Sequence, residues 1–185
     1  MSDGVTTLYT VGHGNRAVDD FTALLASARI ECLVDVRAYP RSRRNPQFAR
    51  IALDPVLKAH SIQYVWEGGP LGGMRRPHRD SPHLALADAA HRGYADHMAT
   101  RDFARALERL IALGTARATV FMCAETHPDH CHRSFIADAL LARGVEVLHL
   151  MGPQDVRHHT LREDARLMPG GQVVYDACVQ LGLAL

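Results

Sequence analysis

Five short apolar runs constrain the fold of this chain more than any other feature. They are "TLYTVG", "ECLVDV", "SIQYVW", "ATVFMC" and "VEVLHL". Each is almost continuously apolar rather than alternating, as a strand covered on both faces must be. Between them lie stretches with helical periodicity. Phe21, Leu24, Leu25 and Ala28 make one stripe, and Phe103, Leu107, Leu110 and Ile111 a second. Ile136, Ala137, Leu140 and Leu141 make a third. Strands alternating with helices predict an α/β fold: a Rossmann-like doubly wound, mainly parallel five-stranded sheet with helices on both faces. The expected strand order is 3-2-1-4-5, with ligands binding beyond the carboxyl ends of strands one and four.

The 185 residues suffice for one domain with a full core. We expect a single domain over 1–185, with its core at about 7–150 and a C-terminal extension at 151–185. The stretch 67–93 is rich in Gly, Pro, Arg and His and reads as a long loop. A helix is expected from Tyr94 onward, stopped by Gly114, and a last one over "QVVYDACVQLGL". No repeat or linker divides the chain.

Net charge is +1 with His neutral, so no global field draws the protein to nucleic acid or a membrane. Recognition must be local. The start, "MSDGVTTLYTVGHG", lacks the basic and apolar regions of a signal peptide, and no run is long enough to span a membrane. Four cysteines in a chain of this size fit reduced thiols and a cytoplasmic location. Lys58 is the only lysine, so no meaning attaches to any single Arg being Arg.

The turn "CAETHPDHCHR" concentrates reactive side chains between the fourth strand and its helix. A proline turn and a helix cap from Thr126, His127 or Asp129 would account for part of it. The apolar stripe of the helix accounts for less. Four residues before Ile136 and Ala137 stand His132 and Arg133, on the stripe that packs against the sheet. Both should turn inward. A partly buried Arg133 needs an anionic partner: Glu125, or a bound phosphate or carboxylate. Cys131 sits near the helix start, where the dipole and a nearby His favour thiolate. Cys123 ends a buried strand, and either cysteine would also pack as a small apolar group. A metal site could use Cys123, Cys131 and His132, but the C-x7-C-H spacing is not that of a zinc finger. No cofactor is expected; zinc or iron is the minor alternative. His127 and His130 read as exposed.

Two further constellations face the same sheet edge. "DVRAYPRSRRNPQFAR" carries Arg37, Arg41, Arg43, Arg44 and Arg50 with Tyr39 and Phe48. It leaves the end of strand two, so one or two of its arginines should meet an anion. A solvated loop is the plainer reading. "TVGHGNR" turns from strand to helix and places His13 beside the others, although it is not a dinucleotide fingerprint. Seen alone, His13 would more often be structural.

"TVGHGNR", "VDVRAYPRSRRNPQF", "GGPLGG", "GYADHM" and "MCAETHPDHCHRSFIADALLARGVEVLHL" together resemble the domain-of-unknown-function 488 family of bacterial proteins. The likeness runs from about Thr7 to about Leu150. It implies landmark positions at His13, Asp35, Arg37, Pro40, Arg43, Cys123, Glu125, Pro128, Cys131, His132 and Arg133. Two positions depart from the family pattern. Gly14 stands where Ser is usual, and Ala17 where a Ser cap is usual.

The functional expectation is an enzyme binding a small anionic substrate, phosphate-bearing or nucleotide-like, at the C-terminal edge of the sheet. Arg37, Arg43 and Arg133 would hold the anion. His13 or His132 would move protons, Glu125 would orient a partner, and Cys131 would be the nucleophile. Asp35 and Cys123 would support them. Two alternatives stand beside it: a nucleic-acid-binding accessory module using the 37–50 arginine loop, and a Cys/His metal-binding redox or sensor protein.

Overall fold

The computed structural model describes residues 5–176. The five expected strands form, as β1 (Thr7–Gly12), β2 (Cys32–Asp35), β3 (Gln63–Trp66), β4 (Thr119–Cys123) and β5 (Glu146–Gly152). They pair in parallel, and a sixth strand, β6 (Asp155–His158), adds antiparallel to β5. The sheet is therefore six-stranded and mostly parallel, in the order β3-β2-β4-β1-β5-β6. This corrects both the expected count of five and the expected order, because β4 inserts between β2 and β1. The register sets Gly12 beside Cys123 and Asp35 beside Met122, so three strands end on one line.

Successive side chains of a strand point to opposite faces. Leu33, Val120 and Met122 pack with Phe21, Leu24 and Leu25 of α1 (Val18–Ser27) and Leu53 and Leu57 of α2 (Arg50–Ala59). Val34, Phe121 and Val147 pack on the other face, with Tyr94 of α4 (Ala89–Met98), Leu107 of α5 (Arg101–Ala116) and Phe135 of α6 (Arg133–Leu141). Ala17 starts α1 without a side-chain cap; Asp19 and Asp20 lie in its first turn, where the helix dipole favours them.

Several local expectations change. The helix expected from Tyr94 onward starts earlier and is two helices, α4 and α5, because the Thr100 side chain accepts the Phe103 N–H and starts α5 afresh. Gly114 does not stop α5, which runs to Ala116; it lies against Leu8, which a Cβ would strike. The long loop holds a short helix, α3 (Gly68–Leu71), before an irregular stretch. No side chain caps the start of α6; a 3-10 turn over Pro128–His130 leads into it.

The tail is integrated rather than appended. After β6, a hairpin of β7 (Arg166–Met168) and β8 (Gln172–Val174) stands where the last helix was expected to begin. The remainder of that expected helix, with Cys178, lies outside the described residues. Tyr175 is buried beside Phe135, and its hydroxyl donates to Asp138 at 2.9 Å. Among the described residues no helix is long and apolar enough to cross a membrane.

Candidate functional site

A cavity of about 400 Å³ opens at the carboxyl end of the sheet. His13, Arg37, Cys123, Glu125, Cys131 and His132 line it, together with Tyr39, Arg41 and Met74. Six expected site residues, spread over more than a hundred positions of sequence, thus converge. The crossing of two loops brings them together. The His13 N–H donates to Cys123 O at 3.1 Å and the Gly14 N–H to Ala124 O at 2.9 Å. Gly12 has no room for a Cβ, which would overlap the Glu125 carbonyl. Gly14, at φ +52°, takes a conformation that favours glycine.

Asp35 and Arg37 form the framework behind this wall. Asp35 is fully buried and takes two guanidinium bonds, Arg37 Nε to Oδ1 at 2.9 Å and Nη2 to Oδ2 at 2.6 Å. The Tyr64 hydroxyl donates to the same Oδ2 at 2.6 Å. Arg37 Nη2 also donates to Phe48 O, and Nη1 reaches His13 Nε2 at 3.1 Å. Since arginine only donates, Nε2 accepts, and Nδ1–H donates to Gly14 O at 2.8 Å. His13 is therefore neutral, stacked on Phe48 with ring centroids 4.4 Å apart. Burial, seconded by the Arg37 charge, lowers its pKa to about 4 against the pull of the Gly14 carbonyl. The Arg37 charge is spent inside the fold, on Asp35.

The thiols lie on the other wall. Cys123 Sγ and Cys131 Sγ are 2.7 Å apart, unbonded, and both residues are buried. His132 Nε2–H donates to Val36 O at 3.1 Å, which leaves the Nδ1 lone pair facing Cys131 Sγ at 3.5 Å. Burial lowers the His132 pKa to about 4, with the Arg133 charge adding to it. Gly73 lies against this ring, where a Cβ would stand 3.1 Å from Nδ1. Burial alone would push the Cys123 thiol up. The Cys131 thiol and the Arg133 guanidinium overcome it and bring Cys123 below the ordinary thiol range. The bond to Cys123, followed by burial, drives Cys131 well above that range. Cys131 donates to Cys123 and accepts the Arg133 backbone N–H at 3.5 Å, and Cys123 Sγ in turn lies 3.5 Å from Glu125 O.

Arg133 turns inward, as the helix periodicity requires, and is 1 % exposed. Its Nη2 donates to Thr126 O at 3.1 Å, while Nε and Nη1 have no hydrogen-bond partner among the described residues. Among the described residues no carboxylate pairs with it. Glu125, the internal candidate, is exposed, and its carboxylate makes no hydrogen bond or ion pair with Arg133 or a histidine. Arg43 is exposed and does not line the cavity; Arg41 does, and the residue types of the loop alone did not separate the two.

The thiol spacing bears on the metal alternative. Two thiolates on one tetrahedral zinc would stand about 3.8 Å apart, given bonds of about 2.3 Å. Among the described residues no group of three His, Cys, Asp or Glu side chains is placed to hold a metal ion.

No curated protein and no solved structure matches the chain. A family model does. It covers residues 17–140, well over half of the length, and so the chain belongs to the family described as Domain of unknown function DUF488.

Proposed function

We propose that the protein is an enzyme that binds a small anionic substrate in the cavity between Arg37 and His132 and acts on it through its thiols. The observation that carries this reading is Arg133: a buried guanidinium with two unpartnered nitrogens and no carboxylate partner among the described residues. A buried cation needs an anion. Arg133 stands behind the cavity wall that Cys123 and Cys131 form, and a phosphate or carboxylate group of the substrate on that wall would meet its charge across the thiols. Arg41, on the cavity wall, is the outer grip, because Arg37 is engaged by Asp35. Cys123 is the thiolate, Cys131 its proton-bearing neighbour, and His132 Nδ1 the proton acceptor. His13, neutral and clamped, positions the wall instead of moving protons.

Calorimetric titration with inorganic phosphate and with a nucleoside monophosphate tests this. Binding should weaken roughly tenfold in Arg41→Ala, the loss of about one charge-assisted bond, and severalfold in Arg133→Met, which removes the charge behind the cavity wall. Absence of binding in the wild type, or binding unchanged in both variants, overturns it.

One observation favours the second reading, a nucleic-acid-binding module. Beside the cavity runs an open groove lined by Tyr39, Arg41, Arg50, Ile51 and Trp66, with Tyr39 71 % and Ile51 88 % exposed. Exposed aromatics among arginines suit stacked bases. Single-stranded oligonucleotide binding that falls steeply with salt and is lost on neutralising Arg41, Arg43 and Arg44 together would support it.

A further inference from the structure

We infer that Cys123 and Cys131 are a nucleophile and its resolving thiol, and that the anion this cavity takes is a small disulfide. The inference rests on the reading of the cavity as an anion site. A thiol enzyme that only hydrolyses or transfers a group has no use for a second thiol in contact with the first. Thiol–disulfide exchange does, because a mixed disulfide is released fastest by a neighbouring sulfur. Here the two sulfurs are 2.7 Å apart and both line the cavity. The second sulfur also has its own base, His132 Nδ1 at 3.5 Å, held in that orientation by the Nε2–H bond to Val36 O. Two buried thiols packed merely for volume would not need a histidine whose free lone pair faces one of them.

The chemistry closes with the groups in place. The Cys123 thiolate attacks one sulfur of R–S–S–R′, forms Cys123–S–S–R and releases R′S⁻. The Cys131 proton passes to His132 Nδ1 only as the sulfur attacks, because so deeply buried a histidine does not hold the charge beforehand. The Cys131 sulfur attacks Cys123 Sγ, the bond between them forms, and RS⁻ leaves with the proton from His132. One disulfide is broken and one made. Two electrons pass from the cysteine pair to the substrate, which departs as one thiol and one thiolate. A dithiol reductant returns the pair to its starting state. Arg41, on the cavity wall, selects substrates that carry a carboxylate or phosphate close to the sulfurs, and the Arg133 charge behind the wall favours the Cys123 thiolate.

Glutathione disulfide, an anionic disulfide, is the probe. Reduced protein is mixed with it in the absence of oxygen, quenched by alkylation and mapped by peptide mass spectrometry. The wild type should form the Cys123–Cys131 disulfide and retain no glutathione. Cys131→Ser should stall with glutathione on Cys123, and Cys123→Ser should carry none on Cys131. His132→Gln should slow resolution about a hundredfold, the scale of a lost general base. Glutathione accumulating on the wild type without an internal disulfide would overturn the inference. So would an adduct on Cys131 in Cys123→Ser. Circular dichroism of each variant establishes that it is folded, and the wild-type result decides the matter without them. Failure of the two readings is distinguishable. Phosphate binding without an internal disulfide removes the pair and leaves the anion site. An internal disulfide formed equally by a cationic disulfide such as cystamine keeps the pair and removes the anion site.

Discussion

Arg37 places Nη1 3.1 Å from Nε2 of His13 while its other nitrogens hold both oxygens of Asp35. One guanidinium thereby ties the end of β2 to the end of β1 and, through Phe48 O, to the arginine loop. Lysine keeps the charge but cannot serve these partners together. Arg37→Lys should cost on the order of 2 kcal/mol in urea denaturation. Asp35→Ala strands a buried cation and should cost about 3–5 kcal/mol. If either variant unfolds at the wild-type midpoint, Arg37 is free to bind ligand and the framework role is wrong.

Acid should weaken the fold early. His13 and His132 titrate at about 4 and His149 at about 3 in the folded protein, each lowered first by burial, against 6.5 for an ordinary histidine. Between these values the unfolded chain binds more protons than the native one. Their contribution is complete above about pH 6.5 and is lost as pH falls toward about 4, by at most roughly 3 kcal/mol per histidine. Urea midpoints across that range should fall with acidification, and His149→Leu should flatten the slope. A midpoint independent of pH there would contradict the buried neutral state.

Gly12→Ala should separate the two loops that build the site. The added methyl overlaps the Glu125 carbonyl, which is backbone and cannot rotate away. Overpacking of this kind costs about 1–3 kcal/mol. The stronger consequence is functional: phosphate binding should fall with stability only modestly changed. Gly144, at φ +75° with open space around it, makes the control, since alanine there brings backbone strain without touching the cavity.

Arg133→Met should raise the apparent pKa of the Cys123–Cys131 pair, since the guanidinium is one of the groups that hold the Cys123 thiol down. Ultraviolet thiolate absorbance followed against pH measures this directly. No movement of the titration would place the Arg133 charge too far from the sulfurs to matter.

Tyr175→Phe should cost about 1 kcal/mol, the loss of the hydroxyl bond to Asp138. Tyr175→Ala should cost about 3–5 kcal/mol, because the ring is fully buried against Phe135. Equal stability in both variants would make the tail an appendage.

Much of the fold is legible in the sequence because its signals are local. Five strands announce themselves as apolar runs, although β3, at the sheet edge, is only half-buried, and the stripe through Ile136 and Leu140 is enough to turn Arg133 inward. The hidden part is relational. Nothing in β1 or β4 states which lies beside β2, since each is apolar on both faces and either order buries it. The tail is ambiguous for a related reason. "QVV" fits strand or helix, and β8 forms because β7 is there to pair with it.

The site divides the same way. The sequence by itself determined which side chains leave the strand ends, because strand and helix periods carry His13, Arg37, Cys123 and His132 to one edge. Only the tertiary structure decided what each does there. Asp35 claims Arg37 rather than leaving it for ligand, Arg41 takes the cavity wall that Arg43 does not, and Glu125 makes no pair with Arg133. Two cysteines separated by seven residues meet at 2.7 Å because a proline turn folds the chain back between them. Such choices depend on distances of a few ångströms between elements, and residue type and spacing carry no record of them.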